Sequence, residues 1–254
     1  MLFGLLDGWL APPPNPERVR WLGEWRYAHR GLHGPGVPEN SPASFTAAMA
    51  RGMGIECDVL RSQDDVAMVF HDDTLERLTA ESGPVHRRSA ADLGRITLTG
   101  GEDGIPTLRQ VLDQVRGQVP ILIEIKSNPD TRTSALCTTV RRALEGYLGP
   151  HAVMSFDPRV VRWFSEFSPL TIRGLVVTEE GAKAFIGRLK RRIAFWHARP
   201  QFLAYDVRDL RSWFPAKQRK RGFPVLTWTV RDADHVERAA KYADAPIAEG
   251  TGIA

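Results

Sequence analysis

Short apolar runs recur along the 254-residue chain, and stretches with helical spacing lie between them. The runs predict strands over 25–29, 54–60, 66–71, 120–126, 151–156, 172–177, 202–207 and 224–230. Several are apolar throughout, as parallel strands covered on both faces are. Helical periodicity marks 41–51, 107–115, 133–147, 158–167, 182–197, 212–221 and 232–242. The first of these opens on Ser41 and Pro42, a helix start signal. The second spaces Leu108, Val111, Leu112 and Val115 at intervals of three and four. Only residues 62–65, Ser-Gln-Asp-Asp, separate the second and third strands, which reads as a turn.

Eight strands with mostly helical connections predict an α/β fold, a (β/α)8 TIM-type barrel with one helix missing or displaced. A doubly wound open sheet is the competing architecture. It loses weight because no G-x-G-x-x-G follows the first strand and no P-loop is present. Residues 1–254 read as a single domain. Within it, 1–24 is an N-terminal extension and 74–104 a small loop-rich insertion between strands three and four. The extension is apolar from Met1 to Ala11 but carries Asp7, lacks a cationic leading region and meets Pro12, Pro13 and Pro14. That predicts a short helix covering apolar surface rather than a secretory signal, and one too short to span a bilayer.

Hydrophobic residues are 43% and charged residues 25%, which excludes wholesale disorder. The net charge of +4 suits an anionic small-molecule ligand and is too weak to indicate a nucleic-acid partner. The densest basic stretch places Lys183, Lys190, Arg191 and Arg192 on a helix with Phe185, Ile186 and Leu189, read as an amphipathic helix with a solvated basic face. The two cysteines, Cys57 and Cys137, make neither a disulfide framework nor a cysteine-based zinc site. Together with the missing signal they point to a cytoplasmic protein without stable membrane insertion. Oligomeric state is not legible.

In a barrel, chemistry sits at the C-terminal ends of the strands. His29 and Arg30 end the first predicted strand, Glu56 and Asp58 lie in the second, His71 ends the third, Glu124 and Lys126 end the fourth, Phe156 ends the fifth, and Trp228 lies near the end of the eighth. Residues two apart share a face of a strand, so Glu56 points with Asp58 and Glu124 with Lys126, while Ile55, Cys57, Val59 and the isoleucines point away. Clustered carboxylates in buried strands repel one another and are costly unpaired. A divalent cation held by oxygen ligands, Mg2+ or Ca2+, would relieve them; a buried Glu–Lys and Asp–Arg ion-pair network is the structural alternative. Two histidines beside such a cluster suit a general acid and a general base.

His-Arg-Gly at 29–31, Glu-Asn-Ser at 39–41, Ile-Glu-Cys-Asp-Val at 55–59, His-Asp-Asp-Thr-Leu at 71–75, Ile-Glu-Ile-Lys at 123–126, Met-Ser-Phe-Asp at 154–157 and Trp-Thr-Val at 228–230 together resemble the glycerophosphodiester phosphodiesterase family, in order, from about residue 26 to the C-terminus. The resemblance implies a TIM-type barrel that hydrolyses glycerophosphodiesters to an alcohol and glycerol 3-phosphate. It implies Glu56, Asp58 and Glu124 as ligands of one divalent cation and His29 and His71 as the acid/base pair. Arg30 and Lys126 are implied as phosphate-binding cations, and Phe156 and Trp228 as apolar walls near the glycerol and leaving group. Arg231 stands where many members carry Asn, and the Ala-Pro-Ile-Ala-Glu-Gly-Thr closing segment is a loose version of the usual acidic one. These departures bear on substrate range. Two other readings remain: lysophospholipase D-type hydrolysis of lysophospholipids, favoured if Trp9 and Leu10 lie near the barrel mouth, and a catalytically silent barrel that binds a phosphorylated ligand.

Overall fold

A computed structural model describes residues 2–127 and 132–253. They form two compact units, 27–151 and 1–26 together with 152–254. The chain opens with α1 (Leu2–Leu10) and α2 (Pro16–Val19), both of the latter unit; Met1 lies outside the described residues.

The unit 27–151 is built on β1 (Tyr27–Ala28), β2 (Gly54–Arg61) and β4 (Ile121–Ile125), with β3 (Ala67–Val69) alongside β2. β1 and β4 flank β2 in parallel, with Tyr27 opposite Gly54 and Asp58 opposite Glu124. The helices are α3 (Pro42–Ala50), α4 (Ala90–Leu93), α5 (Leu108–Val115) and α6 (Thr133–Ala143). α3 starts as expected: the Ser41 hydroxyl accepts from the Ser44 N–H, the Ser44 hydroxyl accepts from the Ser41 N–H, and Pro42 holds the first turn. Thr107 and Gln110 form the same reciprocal cap on α5, whose buried face is the predicted set Leu108, Val111, Leu112 and Val115.

The run at 66–71 is not a parallel strand. β3 pairs antiparallel with β2, Val59 opposite Val69. The five-residue link, 62–66, allows nothing else, because a parallel return needs a crossover of a dozen or more residues. Asp65 takes a left-handed backbone there (φ 60°), and the Ser62 hydroxyl accepts from the Val66 N–H at 2.9 Å. The segment 74–104 is also more than a loop. Leu75, Val85, Leu93, Leu98 and Ile105 are buried with Met68 and Phe70 of the hairpin side in a core of their own.

In the other unit β5 (His151–Ser155), β6 (Ile172–Val177), β7 (Phe202–Asp206), β8 (Val225–Val230) and β9 (Ala245–Ala248) pair in sequence order, all parallel. Between them run α7 (Pro158–Phe167), α8 (Phe185–Ala198), α9 (Trp213–Lys220) and α10 (Ala233–Tyr242). The eighth parallel strand of the chain is therefore β9. It is short, has Ile247 as its one large apolar residue and is interrupted by Pro246, so no apolar run advertised it. With β3 set aside and β9 counted, the eight parallel strands are those of a (β/α)8 TIM-type barrel, the fold expected from the alternation.

α1 is a helix, but its grip is polar. Asp7 is buried; its carboxylate accepts from the Trp196 Nε1–H at 2.8 Å and meets the Lys217 ammonium, and the Arg221 guanidinium donates to the carbonyls of Asp7 and Ala11 at 2.7 Å each. Trp9 is left exposed. Among the described residues no helix is long and apolar enough to cross a membrane.

Leu75→Ala is expected to cost about 2–5 kcal/mol, because Leu75 is fully buried in the small 74–104 core and the cavity left there has little to collapse onto it. Chemical denaturation of the variant checks this; a loss below about 1 kcal/mol would mean the insertion contributes no core of its own.

Candidate active site

β2 and β4 carry the acidic groups. Asp58 and Glu124 lie directly opposite on the neighbouring strands, and Glu56 is two residues before Asp58 on the same face. One carboxylate oxygen from each of Glu56, Asp58 and Glu124 lies within 4.8 Å of the others. Glu56 and Asp58 are 1% exposed and Glu124 8%. Like charges facing each other across strands are destabilising, and burial compounds it.

Two cations answer this trio. Lys126 Nζ lies 2.8 Å from Glu124 Oε1 and 3.3 Å from Asp58 Oδ1. Arg30 Nε lies 3.1 Å from Asp58 Oδ2, close enough for attraction but without hydrogen-bond geometry. Asn40 completes the hold on Asp58: its Nδ2 donates to Oδ2 at 3.0 Å and its Oδ1 accepts from the Asp58 N–H at 3.2 Å. The consequences differ by residue. Burial works to raise the Asp58 carboxyl, but Lys126, Arg30 and His71 overcome it and hold it below the usual carboxylate range. Burial and the charges of Asp58 and Glu124 push Glu56 well up, though the Arg30 N–H donates to its Oε2 at 2.9 Å. Burial raises Glu124 too, against the pull of Lys126.

The loop after β1 is shaped for this. Arg30 and Asn40 both have left-handed backbones, φ 54° and 55°, which only Asn among ordinary residues tolerates readily. Gly31 follows at φ 76°, and a Cβ there would come within 2.2 Å of the Ser44 hydroxyl, so glycine is required. The Asn40 N–H closes the loop onto the Arg30 carbonyl at 2.9 Å. His29 sits half-buried in the turn before Arg30.

His71 follows β3 by two residues, half-buried. Its Nδ1 lies 2.5 Å from Asp72 Oδ1. Burial lowers the imidazole below the ordinary histidine range; Asp58 and Asp72 act to raise it, and Lys126 and Arg30 lower it further. A neutral ring that donates its Nδ1 proton to Asp72 keeps Nε2 as an acceptor. Asp72 is itself anchored: Arg77 Nε donates to its Oδ2 at 2.5 Å, while Arg77 Nη2 donates to Glu39 Oε1 at 2.7 Å. Glu39 also receives Arg30 Nη1 at 2.7 Å. A continuous network thus runs from His71 through Asp72, Arg77, Glu39 and Arg30 to Asp58.

Residues 29–248 match the sequence profile of the Glycerophosphoryl diester phosphodiesterase family. The chain belongs to this family of phosphoric diester hydrolases. The glycerophosphodiester phosphodiesterase of Caldanaerobacter subterraneus subsp. tengcongensis is 28% identical over 232 residues, 84% of this chain and 88% of that one. Among solved structures, an Oleispira antarctica phosphodiesterase in complex with the product sn-glycerol-3-phosphate superposes with a TM-score of 0.76 at 22% identity, covering 88% and 92% of the two chains. The glycerophosphodiester phosphodiesterase of Thermotoga maritima gives 0.71 at 24% identity, covering 87% and 92%. At those identities the structures speak for the fold.

Of the site residues expected from sequence, Glu56, Asp58, Glu124, Lys126 and Arg30 come together around one buried cluster, with His71 near enough to shift with it. Phe156 and Trp228 meet each other in the other unit, ring centroids 5.3 Å apart and nearly perpendicular, with the Trp228 indole N–H donating to the Ala204 carbonyl at 2.9 Å. Asn40, Glu39, Asp72 and Arg77 were not singled out as site residues. Asn40 and Glu39 lie in the Glu-Asn-Ser motif and Asp72 directly follows His71, so their signal was adjacency; Arg77 gave none.

The acidic trio makes a specific demand on stability. Glu56 is protonated more readily folded than unfolded, so its contribution is favourable at low pH and is lost as pH rises above the unfolded carboxylate value. In metal-free protein near neutral pH, Glu56→Gln is expected to raise stability by about 1–3 kcal/mol, since it removes one buried charge and keeps an acceptor for the Arg30 N–H. Thermal melts in chelator check the sign; a lower midpoint for the variant would show that the trio carries no net repulsion.

Proposed function

We propose that the chain hydrolyses glycerophosphodiesters, with water, to an alcohol and glycerol 3-phosphate. The observation that carries this is the three buried carboxylates held beside Lys126 and Arg30, next to a histidine oriented by Asp72. A trio of oxygen donors with only two cations against three charges fits a hard divalent ion, Mg2+ or Ca2+. Glu56, Asp58 and Glu124 are its ligands in this reading. Bound there, such an ion supplies a positive centre for the phosphoryl oxygens.

The protein's own groups do the rest. Arg30 and Lys126 neutralise charge on the phosphate as it builds. His71, neutral and fixed through Nδ1 by Asp72, takes the proton of the attacking hydroxyl at Nε2. His29, protonated at the outset, gives its proton to the departing alcohol oxygen as the new P–O bond forms and the P–O bond to the alcohol breaks. Proton exchange with solvent then returns His71 to its neutral and His29 to its protonated form. Phe156 and Trp228 supply apolar contact for glycerol and the leaving group. The Oleispira structure with sn-glycerol-3-phosphate supports the product class. Two buried cysteines, Cys57 and Cys137, support a reducing, cytoplasmic setting.

Glycerol 3-phosphate release from glycerophosphocholine is expected from purified protein, lost on chelation and restored by Mg2+ or Ca2+. Glu56→Ala should abolish the restoration, and His29→Ala should lower kcat by about 10²–10⁴. No release with either ion would remove this substrate from the reading and make lysophospholipid the next to try. The acid limb of the kcat/KM profile should fall below the ordinary histidine range, because His71 must be unprotonated to act and burial lowers it. Asp72→Asn removes a group that favours the cation, so the limb should move further acid and the plateau should drop. A limb above the ordinary range would overturn the assignment of His71 as base.

A further inference from the structure

The helix read as a basic amphipath behaves otherwise in the fold. Phe195 of α8 is buried, but four other apolar residues of the helix are not packed away: Phe185 is 78% exposed, and Ile186, Leu189 and Ile193 are exposed too. Trp213, at the start of α9, joins them at 64%. Between these helices lies a cavity of about 470 Å3 lined by Phe185, Leu189, Trp213 and Phe214, with Arg188 and Arg191. That volume is in the range that holds small molecules.

Arg191 is the unusual group. Its side chain is only 8% exposed, and Nη2 lies 3.2 Å from Glu179 Oε2. Glu179 is already engaged at its other oxygen, where Oε1 accepts from the Tyr205 hydroxyl at 2.6 Å. Arg191 Nε and Nη1 are buried and have no hydrogen-bond partner among the described residues. Two unmet guanidinium donors in a buried setting are costly, and native interiors leave few such groups without a reason. The remaining cations of the lining are differently placed. Arg192 is paired with Asp7 at 3.7 Å, whereas Arg188 is exposed, with Nε donating to the Lys183 carbonyl at 3.0 Å. With Arg191 set against Glu179 and Arg192 against Asp7, Arg188 leaves the lining positive, and its walls are aromatic and aliphatic.

We infer that this cavity is a binding site for a single-chain amphiphilic anion. An unbranched alkyl or acyl chain lies against Phe185, Leu189, Trp213 and Phe214, and its phosphate or carboxylate head meets Arg191 and Arg188. The site uses none of the carboxylate cluster's residues and is read out by binding, so it stands or falls apart from the hydrolytic reading.

Isothermal titration of the full chain in chelator, with probes below their micellar concentrations, tests it. Decyl phosphate and decanoate present the two heads on one chain, decyl maltoside the chain without charge, and inorganic phosphate the head alone. Decyl phosphate or decanoate should bind at one site at least 30-fold tighter than inorganic phosphate and decyl maltoside. Arg191→Gln should weaken it, but that change disturbs the Glu179 pair and risks the fold. The exposed-residue variants Arg188→Glu and Leu189→Asp, with unchanged thermal midpoints, should each weaken it at least tenfold. Equal binding of decyl phosphate and inorganic phosphate, or no change in either exposed-residue variant, would overturn the inference. So would binding confined to phosphatidylglycerol vesicles, which would mark a membrane face. A ligand-free dimer in sedimentation that Leu189→Asp dissociates would also overturn it, because a second copy would then cover the cleft.

Discussion

Three clustered, buried carboxylates with two cations beside them, Lys126 at Asp58 and Glu124 and Arg30 at Asp58, set the terms for the unit they occupy. The imbalance is built into the pairing of β2 with β4, since Asp58 faces Glu124 across the ladder and Glu56 shares the Asp58 face. No rearrangement short of changing register would separate them, and a one-residue slip would turn every neighbouring isoleucine toward the charges. The protein satisfies one carboxylate fully, through Lys126, Arg30 and Asn40 on Asp58, and leaves Glu56 and Glu124 pushed toward their protonated forms. A site held in that condition favours a divalent cation more strongly than one whose charges already cancel.

The loop that follows β1 carries the cost of holding this cluster. Two non-glycine residues adopt left-handed backbones within eleven positions, each worth about 1–3 kcal/mol of strain. The strain is offset locally: the reciprocal Ser41–Ser44 cap fixes the start of α3, the Ser44 hydroxyl donates to the Arg30 carbonyl at 3.2 Å, and the Leu32 N–H meets the Ser44 carbonyl at 2.9 Å. The outer network through Glu39, Arg77 and Asp72 then couples the orientation of Arg30 to that of His71. A change at Arg77, which touches none of the carboxylate trio by hydrogen bond, is thereby felt at both ends of the site.

Much of this was legible in the sequence because charge inside an apolar strand is a loud signal. Glu56, Asp58, Glu124 and Lys126 stood out against Ile and Val, and period two put Glu56 with Asp58 and Glu124 with Lys126, while only the register of β2 with β4 brings the pairs together. What failed did so for physical reasons. Ala245–Ala248 carries a single bulky residue, Ile247, beside Pro246, too little to mark it as a strand. The run at 66–71 looks like any buried strand, and only the length of the turn before it sets its direction. Residues 74–104 read as polar because their apolar residues are spaced irregularly, each reaching a small core from a different turn. Asn40 and Arg77 are surface types in composition, and only the left-handed backbone and the folded loop bring them to the site. Helix α8 misled most: its pattern predicted which residues are apolar but not that Phe185, Ile186, Leu189 and Ile193 are exposed while Phe195 is buried.

The buried Asp7 makes the N-terminal helix a structural keystone of the unit it joins. Its side chain is shared by the Trp196 indole, Lys217 and Arg192, and its carbonyl by Arg221. These groups come from α8, α9 and the residue just after α9, so a single carboxylate gathers three positive charges that would otherwise repel. Shortening the chain by its first eleven residues would therefore strip the counter-ion from beneath the two helices as well as uncover apolar surface. Any recombinant form trimmed to the residues that match the family, 29–248, would begin life with that charge cluster unbalanced.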